Sequence, residues 1–354
     1  MSRTDLPIPP KRAVEVLVVD DSTIVRNSLR AIIEAEPAFR VSLAGDPYEA
    51  VEAMKRSKPA AVVLDVEMPR MDGITFLKKL MKQHPLPVLI CTNHVERGLA
   101  ALEWGAREVV AKPDWASSSD LSGWGARLRD RLRLMTGLGK PNSRHGADAI
   151  LPRIASTQRP GQADRVVAVG ASTGGVPAIR RLLADLPPES PGVVIALHMP
   201  PVFTTMFAQQ LDHNPEIALE VAEAGPNELV RPGRALVLPG HAHGLLRRAP
   251  GGYRVELVDG PPVSRFRPSI DVLFRSVAQA AGPKGAGVLL TGMLDDGAQG
   301  LLEMHEEGGW TIAQDEATST VFGMPREAIR RGAARQVLPL DRIAAALRSW
   351  SSRP

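Results

Sequence analysis

The sequence predicts an α/β protein of two domains, each built on a mainly parallel sheet. Three observations carry this. Short apolar runs alternate with stretches of helical periodicity along most of the chain, the pattern of strands joined through helices. The apolar runs lack polar alternation, as strands buried on both faces do. The alternation breaks once, over residues 136–163, where Gly, Pro, Ser and Arg replace the periodic pattern.

In the first half, strands are expected at 14–19, 41–44, 60–64, 88–91 and 108–110. Helices are expected between them at 24–36, 47–55, 74–83 and 95–105. A last helix over 121–135 places Leu121, Trp124, Leu128, Leu132 and Met135 on one face. Residues 136–163 read as a linker, longer than connections inside a domain usually are. Beyond it, strands are expected at 165–169, 193–197, 235–238, 253–258 and 287–290, with helices at 177–186, 270–281 and 297–307. The resulting division is a polar, proline-rich tail (1–12), a first domain (13–135), the linker (136–163) and a second domain (164–354). The two halves show no common repeat.

Composition narrows the class. Of 354 residues, 44% are hydrophobic and 23% charged, enough apolar surface to bury a core and too much for a disordered chain. No run approaches the ~18 apolar residues of a membrane span, so an integral membrane protein is not expected. The start, MSRTDLPIPPKR, has no apolar stretch like a signal peptide. Cys91 stands alone and can form neither an internal disulfide nor a cysteine-rich zinc site. A cytoplasmic monomer is the expectation. The net charge of +4 is too weak to argue for nucleic acid. Arg127, Arg129, Arg131 and Arg133 read as solvated helix charge, and no helix-turn-helix follows, so no nucleic-acid partner is expected.

Chemistry-bearing residues in the first domain fall at strand ends. Asp20 and Asp21 follow the first strand, Asp65 the third, Thr92 the fourth and Lys112 the fifth. In an open parallel sheet these positions line the carboxyl edge, where ligands bind. Clustered carboxylates repel one another, and a hard cation such as Mg²⁺ relieves that repulsion. With Lys112 as positive charge and Thr92 as hydroxyl, the set can hold a phosphoryl group on a carboxylate. Helix capping explains one such residue well, but not five at four strand ends.

These segments resemble a known family. VLVVDDS (16–22), LDVEMPRMDG (64–73), Thr92 and AKP (111–113) are similar to the receiver domain of two-component response regulators. The resemblance implies a five-stranded flavodoxin-like fold with Asp65 as the phosphorylated residue. Asp20, Asp21, Asp65 and the carbonyl of Glu67 would surround Mg²⁺, and Thr92 and Lys112 would contact the phosphoryl oxygens. A histidine kinase is the implied phosphodonor. Val109 stands where receivers usually carry an aromatic switch residue, and Asn93 where a small residue is common.

In the second domain, RVVAVGASTGG (165–175) runs an apolar strand into a G-x-S-x-G turn before a helix. Such a turn exposes the Ser172 oxygen at the sheet edge. Neither a P-loop nor a dinucleotide fingerprint fits the glycine spacing. A serine nucleophile needs a base and an orienting acid. His198 ends the strand of VVIALHMPP (193–201), and Asp296 follows that of GVLLTG, in GMLDDG (292–297). His213, His241, His243 and His305 are rival bases. His241 and His243 also admit a metal reading, for which no third ligand is evident. The order Ser, His, Asp argues against the α/β-hydrolase fold, where the acid precedes the histidine.

VGASTGG, HMPPVFTTMFA (198–208), DGPPVSRFRPSIDVLF (259–274), LTGMLDDGAQG (290–300) and VFGMPREA (321–328) resemble the catalytic domain of the chemotaxis protein-glutamate methylesterases. Receiver, linker and esterase in that order is itself the architecture of this family. The resemblance implies a doubly wound sheet, a triad of Ser172, His198 and Asp296 with Asp295 as a rival acid, and an oxyanion site at the Met293 N–H. It implies no cofactor for the esterase site. Hydrolysis of glutamate methyl esters on chemoreceptors is the implied activity, gated by the receiver, with glutamine deamidation as a second reaction. A signalling scaffold with a silent esterase site is the alternative.

Overall fold

Strand and helix alternate through the first domain of the computed structural model, which describes residues 13–69, 71–113, 115, 118–138 and 165–353. In chain order the elements are β1 (Val14–Val19), α1 (Thr23–Glu34), β2 (Phe39–Ala44), α2 (Pro47–Arg56), β3 (Ala61–Leu64), α3 (Gly73–Gln83), β4 (Val88–Cys91), α4 (Val95–Glu103), β5 (Glu108–Val110) and α5 (Ser118–Met135). The sheet is wholly parallel in the order β2-β1-β3-β4-β5. Winding reverses between β1 and β3, which opens a crevice at their carboxyl ends. Val16, Leu17, Val18, Val62, Leu64, Val88, Leu89 and Ile90 are fully buried, as a sheet covered on both faces requires. Helix starts are set by short polar side chains: Ser22 accepts from the Val25 N–H, Asp46 from those of Tyr48 and Glu49, and Asp72 from those of Ile74 and Thr75. β2 begins two residues earlier than its apolar run because Phe39 and Arg40 pair with Val14 and Glu15 of β1.

The second domain continues with β6 (Val166–Ala171), α6 (Gly175–Ala184), β7 (Gly192–Leu197), α7 (Pro201–Asp212), β8 (Glu220–Glu223), β9 (Glu228–Val230), β10 (Arg234–Val237), β11 (His243–Ala249), β12 (Gly252–Val258), α8 (Ile270–Ala281), β13 (Gly285–Leu289), α9 (Ala298–Glu306), β14 (Trp310–Gln314), α10 (Met324–Arg330), β15 (Gln336–Leu338) and α11 (Leu340–Ser351). Seven strands form a parallel sheet in the order β15-β14-β13-β6-β7-β10-β8. β11, β12 and β9 form a separate antiparallel sheet. The expected doubly wound, mainly parallel architecture is therefore present. Winding starts at β6 and runs outward both ways, so the switch point lies where β13, β6 and β7 are neighbours. Every residue of these three strands is buried.

Several elements escape the sequence reading for physical reasons. α7 opens on Pro200 and Pro201, which read as breakers, yet proline suits the first helical position, and Phe203, Phe207 and Leu211 bury the helix. β14 contains Thr311 and Gln314, both fully buried, which accept from Arg335 N–H and Thr291 N–H of distant loops and also meet the nearby His305 and Thr318. The chain divides into two compact units, on either side of residue 142. The expected tail, and the linker from residue 139 onward, lie outside the described residues.

Candidate active and phosphorylation sites

At the carboxyl edge of the first sheet, Asp20, Asp21 and Asp65 bring their carboxylate oxygens within 4.8 Å of one another. The helix caps of this edge are other residues, Ser22 and Asp72, so capping does not account for this cluster. Lys112 Nζ bridges Asp20 Oδ2 at 2.7 Å and Asp65 Oδ2 at 2.6 Å. Burial acts against the Lys112 charge, but the bonds to Asp20 and Asp65 outweigh it and raise the amine above its ordinary range. Burial also raises the Asp20 carboxyl, against the lowering influence of Lys112 and the Ser22 N–H. Thr92 is fully buried and Glu67 half exposed, both lining the same cleft as Asn93. The Glu67 carboxylate meets His94 and, at 3.9 Å, Arg97. The donor set is all oxygen, as a hard divalent cation requires. Val109 is buried in β5, with no aromatic ring at that position.

At the second sheet, β13, β6 and β7 place the Asp296 loop, Ser172 and His198 side by side. Ser172 N–H donates to Thr291 O at 3.0 Å, and His198 N–H to Ala171 O at 3.2 Å. Gly174 takes φ +78° against Thr320, a tight left-handed turn that admits only glycine without strain and starts α6 directly after the serine. His198 Nε2 meets Asp296 Oδ2 at 2.8 Å, both side chains almost fully buried. The Asp296 carboxylate also accepts from Ser269 Oγ (2.9 Å), Ile270 N–H (2.8 Å) and Asp271 N–H (3.1 Å). Burial alone would raise this carboxyl; His198 and the two backbone N–H groups outweigh it and hold it below the usual range. The acid is therefore ionised, His198 Nε2 carries its hydrogen, and Nδ1 is the basic atom. Nδ1 is buried without a hydrogen-bond partner among the described residues.

The loop after β13 comes against the serine. A Cβ on Gly292 would lie 2.8 Å from Ser172 Cβ and 2.2 Å from Met324 Sδ, so only glycine permits this approach. Met293 N–H has no hydrogen-bond partner among the described residues, and Leu294 follows it at φ +68°. Left-handed non-glycine residues are costly and are kept where surroundings enforce them.

Comparison with known proteins settles the family. Residues 167–347 match the family model described as CheB methylesterase, and residues 16–118 that of the response regulator receiver domain. The chain belongs to the CheB methylesterase family. It is 53% identical over 346 residues to protein-glutamate methylesterase/protein-glutamine glutaminase 5 of Anaeromyxobacter dehalogenans, covering 94% of this chain and 95% of that one. Protein-glutamate methylesterase/protein-glutamine glutaminase 3 of Geobacter metallireducens is 48% identical, with 94% and 98% covered. The crystal structure of the Thermotoga maritima CheB methylesterase catalytic domain superimposes on 52% of this chain and 97% of its own, with TM-score 0.50 and 35% identity.

Within this CheB-family framework the rival residues take other roles. Asp295 is partly exposed and pairs with Arg331 at 3.2 Å. His213 bonds its own helix at Gln209 O, and His305 meets Thr311. His241 is exposed. His243 is buried, with both ring nitrogens engaged by Pro261 O and Ser269 N–H, and among the described residues it joins no metal-type cluster. Sequence reading missed Ser269, Thr291 and Phe266. Thr291 Oγ1 donates to Thr173 O and accepts from Val321 N–H, tying the serine turn to the loop that faces it. Small hydroxyl residues of this kind carry no signal of their own; a buried Thr inside an apolar strand-end motif is the only hint.

Proposed function

We propose that this protein hydrolyses glutamate γ-methyl esters on chemoreceptors through Ser172, His198 and Asp296, and that phosphorylation of Asp65 controls the rate. The observation that carries the reading is the His198–Asp296 pair beside Ser172 at the switch point of the second sheet. His198 Nδ1 takes the proton of Ser172 as the serine oxygen attacks the γ-carbonyl. The tetrahedral oxygen accepts from Met293 N–H, and Asp296 stabilises the imidazolium. His198 returns the proton to the departing methoxy group, methanol leaves, and a glutamyl ester on Ser172 remains. Water, deprotonated by His198, then attacks that ester and releases glutamate. The same steps with ammonia as leaving group deamidate glutamine, in line with the double name of the relatives.

In the first domain, Asp20, Asp21, Asp65 and the Glu67 carbonyl would hold Mg²⁺, which supplies charge neutralisation during phosphoryl transfer to Asp65. Lys112 and Thr92 then contact the phosphoryl oxygens, and a histidine kinase is the donor. No helix among the described residues is long and apolar enough to cross a membrane. A cytoplasmic monomer fits this role.

Methanol release from methylated receptor tests the reading. Full-length protein with Mg²⁺ and an acyl phosphate should be stimulated, Asp65→Asn should not respond, and Ser172→Ala should be inactive. Receptor demethylation by Ser172→Ala at the wild-type rate would overturn the triad; a cellular effect retained by that inactive variant would favour the scaffold.

A further inference from the structure

Phe266 lies face to face with the His198 imidazole, ring centroids 3.7 Å apart and planes within 3°. The backbone that carries it is held on all sides. Val263 and Phe266 exchange both backbone hydrogen bonds, at 3.1 and 2.9 Å, and Ser264 and Arg265 between them adopt φ of +49° and +76°. Ahead of this turn, Pro261 O accepts from His243 Nε2–H at 3.0 Å; behind it, Ser269 N–H donates to His243 Nδ1 at 3.1 Å. Arg267 Nη1 donates to Asp259 Oδ1 and Gly260 O, both at 2.9 Å. One loop therefore presents a ring to His198 and, through Ser269, a hydroxyl to Asp296, while His243 fastens its two ends. The bond from Ser269 N–H requires the neutral ring, because Nδ1 must accept; the bond to Pro261 O is made by Nε2–H in either state. Burial holds the His243 imidazole below its ordinary range and Arg267 adds to this, against the opposing influence of Pro261 O, Asp296 and Asp259.

We propose that Phe266 is a positioning residue of the esterase reaction: it fixes the plane of the His198 ring and stabilises its protonated form, with His243 clamping the loop that holds it there. The imidazole becomes a cation only once it has taken the serine proton. An aromatic face attracts a cation at this range. The contact therefore strengthens toward the transition state, which raises kcat and leaves substrate binding unchanged. The inference rests on the esterase reading.

The test measures kcat and KM for methanol release from a γ-methylated receptor peptide, using full-length wild type, Phe266→Leu, Phe266→Tyr, His243→Leu and the Phe266→Leu/His243→Leu double variant. Phe266→Leu should lower kcat about tenfold with KM unchanged, the size expected of one desolvated cation–ring contact. Phe266→Tyr keeps the aromatic face and should stay within about twofold of wild type. His243→Leu should lower kcat as Phe266→Leu does, and the double variant no further, because both act through one loop. Wild-type kcat in Phe266→Leu, an equal loss in Phe266→Tyr, or a change confined to KM would each overturn the proposal. The His198 ring proton shifts give a readout independent of turnover. Both leucine variants should move them by removing the stacked ring current, and Phe266→Tyr should not; unmoved shifts would overturn the proposal even in a protein that releases no methanol, an outcome that by itself counts against the esterase reading.

Discussion

Ser269 Oγ donates to Asp296 Oδ1 at 2.9 Å while accepting the N–H of Val272 at 3.4 Å. A single hydroxyl caps α8 and orients the acid of the candidate triad. Ser269→Ala should cost about 1 kcal/mol of stability as a lost cap, and kcat should fall on the order of tenfold as Asp296 loses a partner. Denaturant midpoint and methanol release are measured on the same preparation. Reduced stability with wild-type kcat would leave Ser269 a cap and nothing more.

Two adjacent aspartates divide the work. Asp295 pairs with Arg331 at the surface, and Asp296 is buried against His198. Asp296→Asn should lower kcat by roughly 10³–10⁴, the loss expected when the histidine tautomer is no longer held. Asp295→Ala should stay within about threefold, because an exposed ion pair contributes little. Reversal of the two effects would make Asp295 the acid.

Asp271 gives the second domain a pH-dependent stability. Burial, reinforced by the nearby Asp296 charge, pushes its carboxyl up to about 7, against the Gly300 N–H that it accepts. A carboxyl raised on folding favours the native state most while it is protonated in both states, below its unfolded value near 3.8. That contribution fades as pH rises through the folded value. Asp271→Asn keeps an acceptor for Gly300 N–H and cannot ionise. It should raise the melting temperature by several degrees at pH ~8 and by a clearly smaller amount at pH ~5, where only part of the ionisation penalty has developed. An equal shift at both pH values would contradict the assignment.

The first domain's cation dependence follows from its donor set. Removal of divalent metal by a chelator should abolish phosphoryl incorporation from an acyl phosphate. Asp21→Asn should raise the Mg²⁺ needed for half-maximal incorporation by about ten- to a hundredfold, because one of three clustered carboxylates loses its charge. Incorporation at full rate in chelator would rule out the metal role of the cluster.

Much of this arrangement was legible in the chain. Apolar runs without alternation marked β1, β3, β4, β6, β7 and β13, because strands covered on both faces have no reason to alternate. Asp20, Asp65, Ser172 and His198 then stood out by following such runs immediately, and Lys112 by its place just past the short run of β5. Elements with half-polar faces, such as β8 and β15, did not stand out. Nor did β14, whose buried Thr311 and Gln314 accept from Arg335 N–H and Thr291 N–H, residues more than twenty positions away.

By itself the sequence determined the two α/β domains, the strand-end placement of the acidic cluster, and the Ser, His, Asp order along the chain. These depend on local periodicity and on what a parallel sheet does with its carboxyl edge. Only the tertiary structure decided which histidine nitrogen meets Asp296, how the loop of Ser269 braces that carboxylate, and that Phe266 stacks on His198. Those contacts join residues distant in sequence through loops, and a loop leaves no periodic trace of where its side chains will land.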